Sequence, residues 1–532
     1  MRSRHRPRHA ARKRVPPFAG LVALALVAAA VVGWRVSEAS SRRAGEAAGR
    51  TRPLPSDTPP ATGVSSPAHS PPSAPRGSPA IVTPGPINTS FPGLTTFRGN
   101  ATRDYYGEGP VPLHPKVIWA YPETGGLCSQ SSDQFGQRTW CGTGWTGQPN
   151  VIVHDDGSVE VRIGAYDGHY HFLDGRTGEP VRPDLVTGDL AKGSASSDPD
   201  GYPLYYAGSR DNLLRIVALD RKEPTVLWSV DANTSVPRPM WNNDWDGAAL
   251  VVDGYLLEGG ENSWFYVIRL NRGYNAQGKV TVHPKIVATI PGFDDQLLAA
   301  LPDTDVSIEN SVAFSDGIAY FANSGGLVQG WDISKLLAGG TQYHRVFRFW
   351  TGDDTDASVV IDPQGYLYVG SEYQRFNERS REVGQLMKLD PRNRKDPVVW
   401  SLPAPEIGFE GAGGTWSTPA LYGDFVYWAT AAGRVLEIRK STGKIVWETQ
   451  IGIPSIASPV VVDGVLIQGD CTGALHAWDV SDPREVRNLW TMHFPGCVES
   501  TPAVWHGWLY FGTRAGQIYG VADPSAAGKE SG

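Results

Sequence analysis

Six carboxylates and three indoles are the groups in this sequence best placed to do chemistry. Asp244, Asp246, Glu309, Asp354, Asp356 and Glu499 stand just ahead of apolar, strand-like segments, and Trp145, Trp245 and Trp416 stand in similar places. Carboxylates gathered in one hollow supply the oxygen ligands that Ca²⁺ takes, or a negative field that attracts a cationic ligand or partner segment. Indoles in the same hollow would stack a planar ligand or a sugar. Thr146, Trp241 and Glu410 belong to the same neighbourhoods. The plainer alternative is that the acids are solvated at a rim and the indoles pack between repeats. The run from Asp353 to Asp356 lacks the spacing of a calcium-binding loop.

Other reactive residues point to structure. The four cysteines are Cys128, Cys141, Cys471 and Cys497. Four cysteines in an exported chain predict two disulfides. Proximity favours Cys128–Cys141 and Cys471–Cys497, which would close loops of about 13 and 26 residues. No Cys-x-x-Cys pair suggests a metal instead. His169 and His171 lie two apart on a strand and share a face, but no third ligand accompanies them. There is no Gly-x-Ser-x-Gly elbow, no His-Glu-x-x-His and no P-loop. The formal net charge is −7. A mildly acidic body offers no electrostatic footprint for nucleic acid.

The elements that must position these residues begin after a distinct N-terminal region. Arg2, Arg4, Arg6, Arg8, Arg12, Lys13 and Arg14 form a basic tail over residues 1–16 with no acid among the first 14 positions. Residues 17–34 are apolar and uncharged through Trp34, long enough to span a bilayer as a short helix. Basic residues ahead of it predict a cytoplasmic N-terminus and an extracytoplasmic remainder. The rival reading is a cleaved signal peptide with a site near Ser37-Glu38-Ala39. Residues 35–95 become rich in Pro and Ser and show no periodicity, as expected of a disordered spacer.

Beyond the spacer the chain repeats itself. In one copy Val462 ends a strand, Asp463-Gly464 supplies a two-residue hairpin turn, and a second strand runs from Val465 to Gly469. Thr472-Gly473 turns into a third strand ending at Trp478-Asp479. Third strands also end at Leu173-Asp174, Asp220, Leu270-Asn271, Trp331-Asp332, Leu389-Asp390, Arg439-Lys440 and Ala522-Asp523. Spacings of roughly 40 to 60 residues with four strands per repeat are those of propeller blades. The last copy stops after its third strand, and the lone strand Lys116–Tyr121 can complete it. The sequence therefore predicts an all-β, eight-bladed β-propeller of four-stranded antiparallel blades over residues 96–523, with seven blades the alternative, and a disordered tail over 524–532. The run from Phe97 to Pro110 predicts an ordered lead-in packed on the propeller.

Gly164-Ala-Tyr-Asp-Gly-His-Tyr-His-Phe-Leu-Asp-Gly-Arg-Thr-Gly178, Ser441-Thr-Gly-Lys-Ile-Val-Trp447 and Tyr366-Leu-Tyr-Val-Gly370 with Trp400 resemble the PQQ-binding-like β-propeller repeat. That family includes quinoprotein dehydrogenases holding PQQ and Ca²⁺ on the axis, non-catalytic scaffolds similar to BamB, and sensor ectodomains. The dehydrogenases typically carry an adjacent Cys-Cys pair, absent here, and those with fused haem carry Cys-x-x-Cys-His, also absent. No cysteine stands near the apolar segment to carry BamB's lipid. The resemblance thus implies a monomeric, membrane-anchored scaffold that binds an envelope protein or polymer and needs no cofactor. The alternatives are a PQQ- and Ca²⁺-dependent oxidoreductase and a lectin-like glycan-binding propeller.

Overall fold

The computed structural model describes residues 85–133, 136–145 and 147–527. The basic tail, the apolar segment 17–34 and most of the Pro/Ser-rich stretch lie outside the described residues. Among those described, no helix is long and apolar enough to cross a membrane.

Period-two alternation and tight turns build eight antiparallel blades. Blade one runs through Asn150–Val153, Val159–Ala165, His169–Asp174 and the short outer strand Leu185–Val186, and Gly93–Leu94 adds an inner edge strand to it. The first strands of blades two to eight are Ser196–Ser197, Leu250–Val252, Ala313–Ser315, Val360–Ile361, Ala420–Tyr422, Val460–Val462 and Ala503–Trp505. The long stretch after Leu270 resolves into an extra hairpin (Arg272–Tyr274 with Val280–Val282), the outer strand Lys285–Pro291 and the helix Asp295–Ala300. Asp294 caps that helix by accepting from the Leu297 N–H.

The ring closes as the repeats predict. Lys116–Tyr121 pairs antiparallel with Ile518–Ala522 as the outer strand of blade eight. Closure removes the free sheet edges that an open array would leave. Trp119 packs flat over Gly520, where any Cβ would lie about 2.1 Å from the indole. Both disulfides have the expected partners, Cys128–Cys141 and Cys471–Cys497. The first ties a hairpin of Cys128–Asp133 and Gly136–Cys141 that follows the closing strand.

Hydroxyls link blade to blade around the axis. The Ala248 N–H donates to Ser311 Oγ, Ser311 N–H to Ser358 Oγ, Ser358 N–H to Thr418 Oγ1, and Thr418 N–H to Ser458 Oγ, all at 2.8–2.9 Å.

The ordered lead-in is a plug across one end of the axis. Arg98 and Arg103 are both fully buried. Arg98 donates to the carbonyls of Thr418, Pro419 and Pro459 in blades six and seven. Arg103 donates to the carbonyls of Ala248 and Val312 at blades three and four. The Thr95, Ala101 and Thr102 carbonyls accept from Ser197, Phe314 and Ile361 of blades two, four and five. Gly107–Glu108 pairs parallel with blade eight. Gly99 sits at φ 53°, and a Cβ there would meet the Tyr105 ring at 2.3 Å, so the turn between the two arginines requires glycine.

Two boundaries differ from the sequence expectation. Ordered packing starts ahead of residue 96, because Asn88, Leu94 and Thr95 are buried and Gly93–Leu94 is a strand. At the other end Pro524–Ala527 is a helical turn.

Candidate functional site

The other end of the axis holds a small hollow built from one repeated position. Asp246, Glu309, Asp356, Trp416, Ile456 and Glu499 line it, each four residues before a first strand, and Trp145 and Ser194 line it from the connections into blades one and two, where Lys192 holds the repeated position four residues before Ser196. Phe97 of the plug also lines it. The cavity volume is about 30 Å³, room for about two water molecules.

The structure thus brings Asp246, Glu309, Asp356, Glu499, Trp145 and Trp416 together. Asp244 and Asp354 are buried two residues before Asp246 and Asp356 and are not among the cavity-lining residues. Trp245 does not reach the hollow: its indole donates to the Asn212 carbonyl and packs on Tyr266 in the hydrophobic core. The reason is local, since successive residues of an extended segment face opposite ways and Trp245 lies between two inward acids. Glu410 is exposed on a turn, and Thr146 lies outside the described residues.

Sequence reasoning missed several neighbours. Ile456 occupies the repeated position with an unremarkable side chain, and Lys192 occupies it in blade two, four residues before Ser196. Glu261 and Glu372 come from other elements. Glu261 directly follows Gly260 at the end of a second strand and Glu372 stands two residues after Gly370 at the end of another, a signal visible once the blades are aligned.

Two carboxylate trios flank the hollow, Asp244/Asp246/Glu261 and Asp354/Asp356/Glu372, each with ligand oxygens within 4.8 Å of one another. The first is neutralised from within. Lys192 Nζ lies 3.1, 2.7 and 2.9 Å from Asp244, Asp246 and Glu261. Arg210 adds a 2.8 Å pair to Asp244, and the Trp145 ring lies 4.9 Å from the ammonium. Burial alone would lower the Lys192 pKa, but the three acids outweigh it and hold the lysine charged. Burial pushes Asp246 up to about 6 against the pull of Lys192.

The second trio has no such ammonium. Asp354 Oδ2 accepts from Gln374 Nε2 at 2.7 Å, while Asp354 Oδ1 and Glu372 Oε1 are buried without a hydrogen-bond partner. Burial, reinforced by Asp305, lifts Asp354 to about 7. Burial and mutual repulsion also raise Asp356, Glu372 and Glu309. Arg375 is the nearby cation: its charge draws Asp354 down, while its direct contacts go to Asp303, Asp305, Asp353 and the Ser324 carbonyl.

Away from the axis, His171 is buried between Asp167 (3.2 Å) and Asp184 (3.1 Å). Burial opposes its charge, yet the two carboxylates prevail and raise its pKa to about 9. His169 stacks on it with centroids 6.0 Å apart.

Comparison with known proteins bears on the ring as a whole. Residues 384–525 match the family model described as outer membrane protein assembly factor BamB. A europium-containing methanol dehydrogenase superposes with a TM-score of 0.55 at 12 % identity, over 82 % of this chain and 99 % of its own. The fold is that of the PQQ-like β-propellers. A quinohemoprotein alcohol dehydrogenase from Comamonas testosteroni gives 0.51 at 13 % identity, covering 84 % of this chain and 82 % of its own. BamB from Moraxella catarrhalis gives 0.49 at 15 % identity, covering 74 % of this chain and all of its own. A search of curated proteins finds no match. Identities this low carry the fold and not the chemistry.

The residues at the axis of this PQQ-like β-propeller do not fit the quinone. PQQ is a planar tricyclic tricarboxylate, and the hollow holds about two waters. Its walls carry Asp246, Glu309, Asp356 and Glu499, and the cations beside them, Lys192 and Arg514, are already paired with Asp246 and Glu499, which leaves neither for the carboxylates of the quinone.

Proposed function

We propose that this protein is a non-catalytic binding propeller that docks a partner protein segment at the open end of its axis, outside the membrane. The observation that carries this reading is the character of that end. The hollow is too small for PQQ and spares no cation for its carboxylates, and exposed apolar side chains surround it. Trp241, Ile407 and Ile453 stand on the same class of connection as the axial residues and are 46, 53 and 52 % exposed; Phe376, on a loop between second and third strands of blade five, is 42 % exposed. In a propeller both kinds of connection emerge on one face. An apolar rim around a negative centre suits a segment that presents apolar residues flanking a basic one. The family match to an assembly factor supports a scaffold role. The apolar segment 17–34 is read as the tether that holds the ring at the cell envelope.

The test places photo-crosslinking residues at Trp241 and Ile453, and at Val399 on an outer strand, in the full chain expressed in its own envelope. A discrete adduct from the first two sites and not the third is the expected result, with the Ile453 adduct lost on Trp241→Asp. In parallel, PQQ with Ca²⁺ should raise the melting temperature no more than Ca²⁺ alone. A saturable additional rise with PQQ, or no adduct specific to the rim, would overturn the reading.

A further inference from the structure

A cleft of about 380 Å³ opens between blades one and two, against about 30 Å³ for the axial hollow. That volume falls within the range of about 300–1,000 Å³ usual for small-molecule sites. Its walls include the turns that join first to second strands, at His154-Asp155 in blade one and Gly201-Tyr202 in blade two. Those turns emerge on the plug's side of the ring, opposite the hollow. Phe91 of the lead-in, half-buried, lies over Gly201, where a Cβ would come within 4.0 Å of its ring.

A fixed ion network backs the cleft. Glu160 is 1 % exposed and accepts from Arg162 Nη2 at 3.0 Å, Arg182 Nε at 3.0 Å and His154 Nε2 at 2.8 Å. Burial would raise the Glu160 pKa, but Arg162, His154 and Arg182 outweigh it and hold the carboxylate charged. Across the cleft Arg272 pairs with Asp198 at 2.6 Å and lies 4.6 Å from the Tyr202 ring, which stacks on Tyr274 at 5.5 Å. Two polar groups of the lining stay unspent. Arg162 Nε is buried without an acceptor, and the exposed Asp155 carboxylate has no partner among the described residues.

We infer that this cleft binds a neutral pyranose, one sugar unit of a glycan, with hydroxyls on Asp155 and Arg162 Nε and the apolar face of the ring on Phe91. Charge selects against ions. Arg162 and Arg182 are matched on the lining by Asp155 and Asp198, and Glu160 and Arg272 behind them cancel in turn. A balanced field draws neither an anion nor a cation. A hydroxyl both donates and accepts, so one ligand type satisfies an acceptor-only carboxylate and a donor-only guanidinium. The network holds these groups in place before the ligand arrives, which lowers the cost of binding.

The experiment is calorimetric titration of the folded, full-length protein with the methyl α-glycosides of glucose, mannose and galactose, with glucuronate and glucosamine as charged counterparts. Saturable binding of at least one neutral glycoside is expected, with both charged sugars weaker. Asp155→Asn should weaken that binding by about tenfold and leave the melting temperature unchanged, because the residue is exposed. Phe91→Ala should weaken it too. Glu410→Gln, an exposed carboxylate away from the cleft, should bind as the parent does. No saturable binding of any neutral glycoside, tighter binding of a charged sugar, or affinity unchanged in both Asp155→Asn and Phe91→Ala would overturn the site. Neither result depends on whether a partner docks at the rim, which lies on the opposite face.

Discussion

Lys192 shows how much one side chain controls at the axis. Its ammonium is the shared counter-ion of three buried carboxylates. Replacing it by methionine keeps the stem and removes the charge. Breaking a buried ion cluster in this way costs about 3–5 kcal/mol. Lys192→Met should therefore lower unfolding free energy by that amount at pH 8 and by less at pH 5, where the acids take up protons. Urea denaturation at the two pH values measures it. His171 gives a second pH dependence. Its folded pKa of about 9 exceeds the ordinary 6.5, so its stabilisation is complete below pH 6.5 and fades as pH rises through 9. The full effect is on the order of 3 kcal/mol. His171→Gln should flatten the fall in stability between pH 6 and pH 9, read from urea midpoints.

At the scale of elements the plug and the disulfides are separable. Arg98 and Arg103 satisfy carbonyls just ahead of the first strands, and desolvation lowers their pKa values to about 10 and 9. Both remain charged at neutral pH. Arg98→Met leaves the Thr418, Pro419 and Pro459 carbonyls without that donor and should cost at least about 3 kcal/mol, measured by thermal unfolding. The Cys471–Cys497 bridge joins two connections around blade seven across 26 residues. Its loss in Cys471→Ser/Cys497→Ser should cost about 3 kcal/mol, seen as a lower melting temperature whose further fall on adding reducing agent is smaller than the parent's, because only Cys128–Cys141 is left to reduce.

The same scale explains what was legible in the sequence. Third strands ending in Trp331-Asp332 or Trp478-Asp479, with hairpin turns such as Asp463-Gly464, marked the blades because turn chemistry and period-two alternation are local. Asp246, Glu309, Asp356, Trp416 and Glu499 were found because each sits four residues before a first strand. Lys192 sits four residues before Ser196 as well, but it was not found because that first strand is the short polar pair Ser196–Ser197 and carries no apolar signal. Trp245 was misassigned because a one-residue step in extended chain reverses the side faced. The twinning of Glu261 and Glu372 emerges only when blades three and five are superposed.

For the whole molecule, closure is the decisive contact. Gly520→Val would drive methyl groups into the Trp119 ring and destabilise the fold by about 1–3 kcal/mol. It should also loosen the Lys116–Tyr121 strand and expose an edge on blade eight. Size-exclusion chromatography should then show concentration-dependent oligomers.

The plug also sets how the ring bears load. A pull on the chain ahead of residue 85 arrives first at Gly93–Leu94 and the two buried arginines, before the closing strand. Those contacts are distributed around the circle, so tension divides among the blades in parallel instead of peeling one strand at a time. The plug works as a hub with spokes: a tethered ring would be held by its centre, and its seam would be shielded from the force.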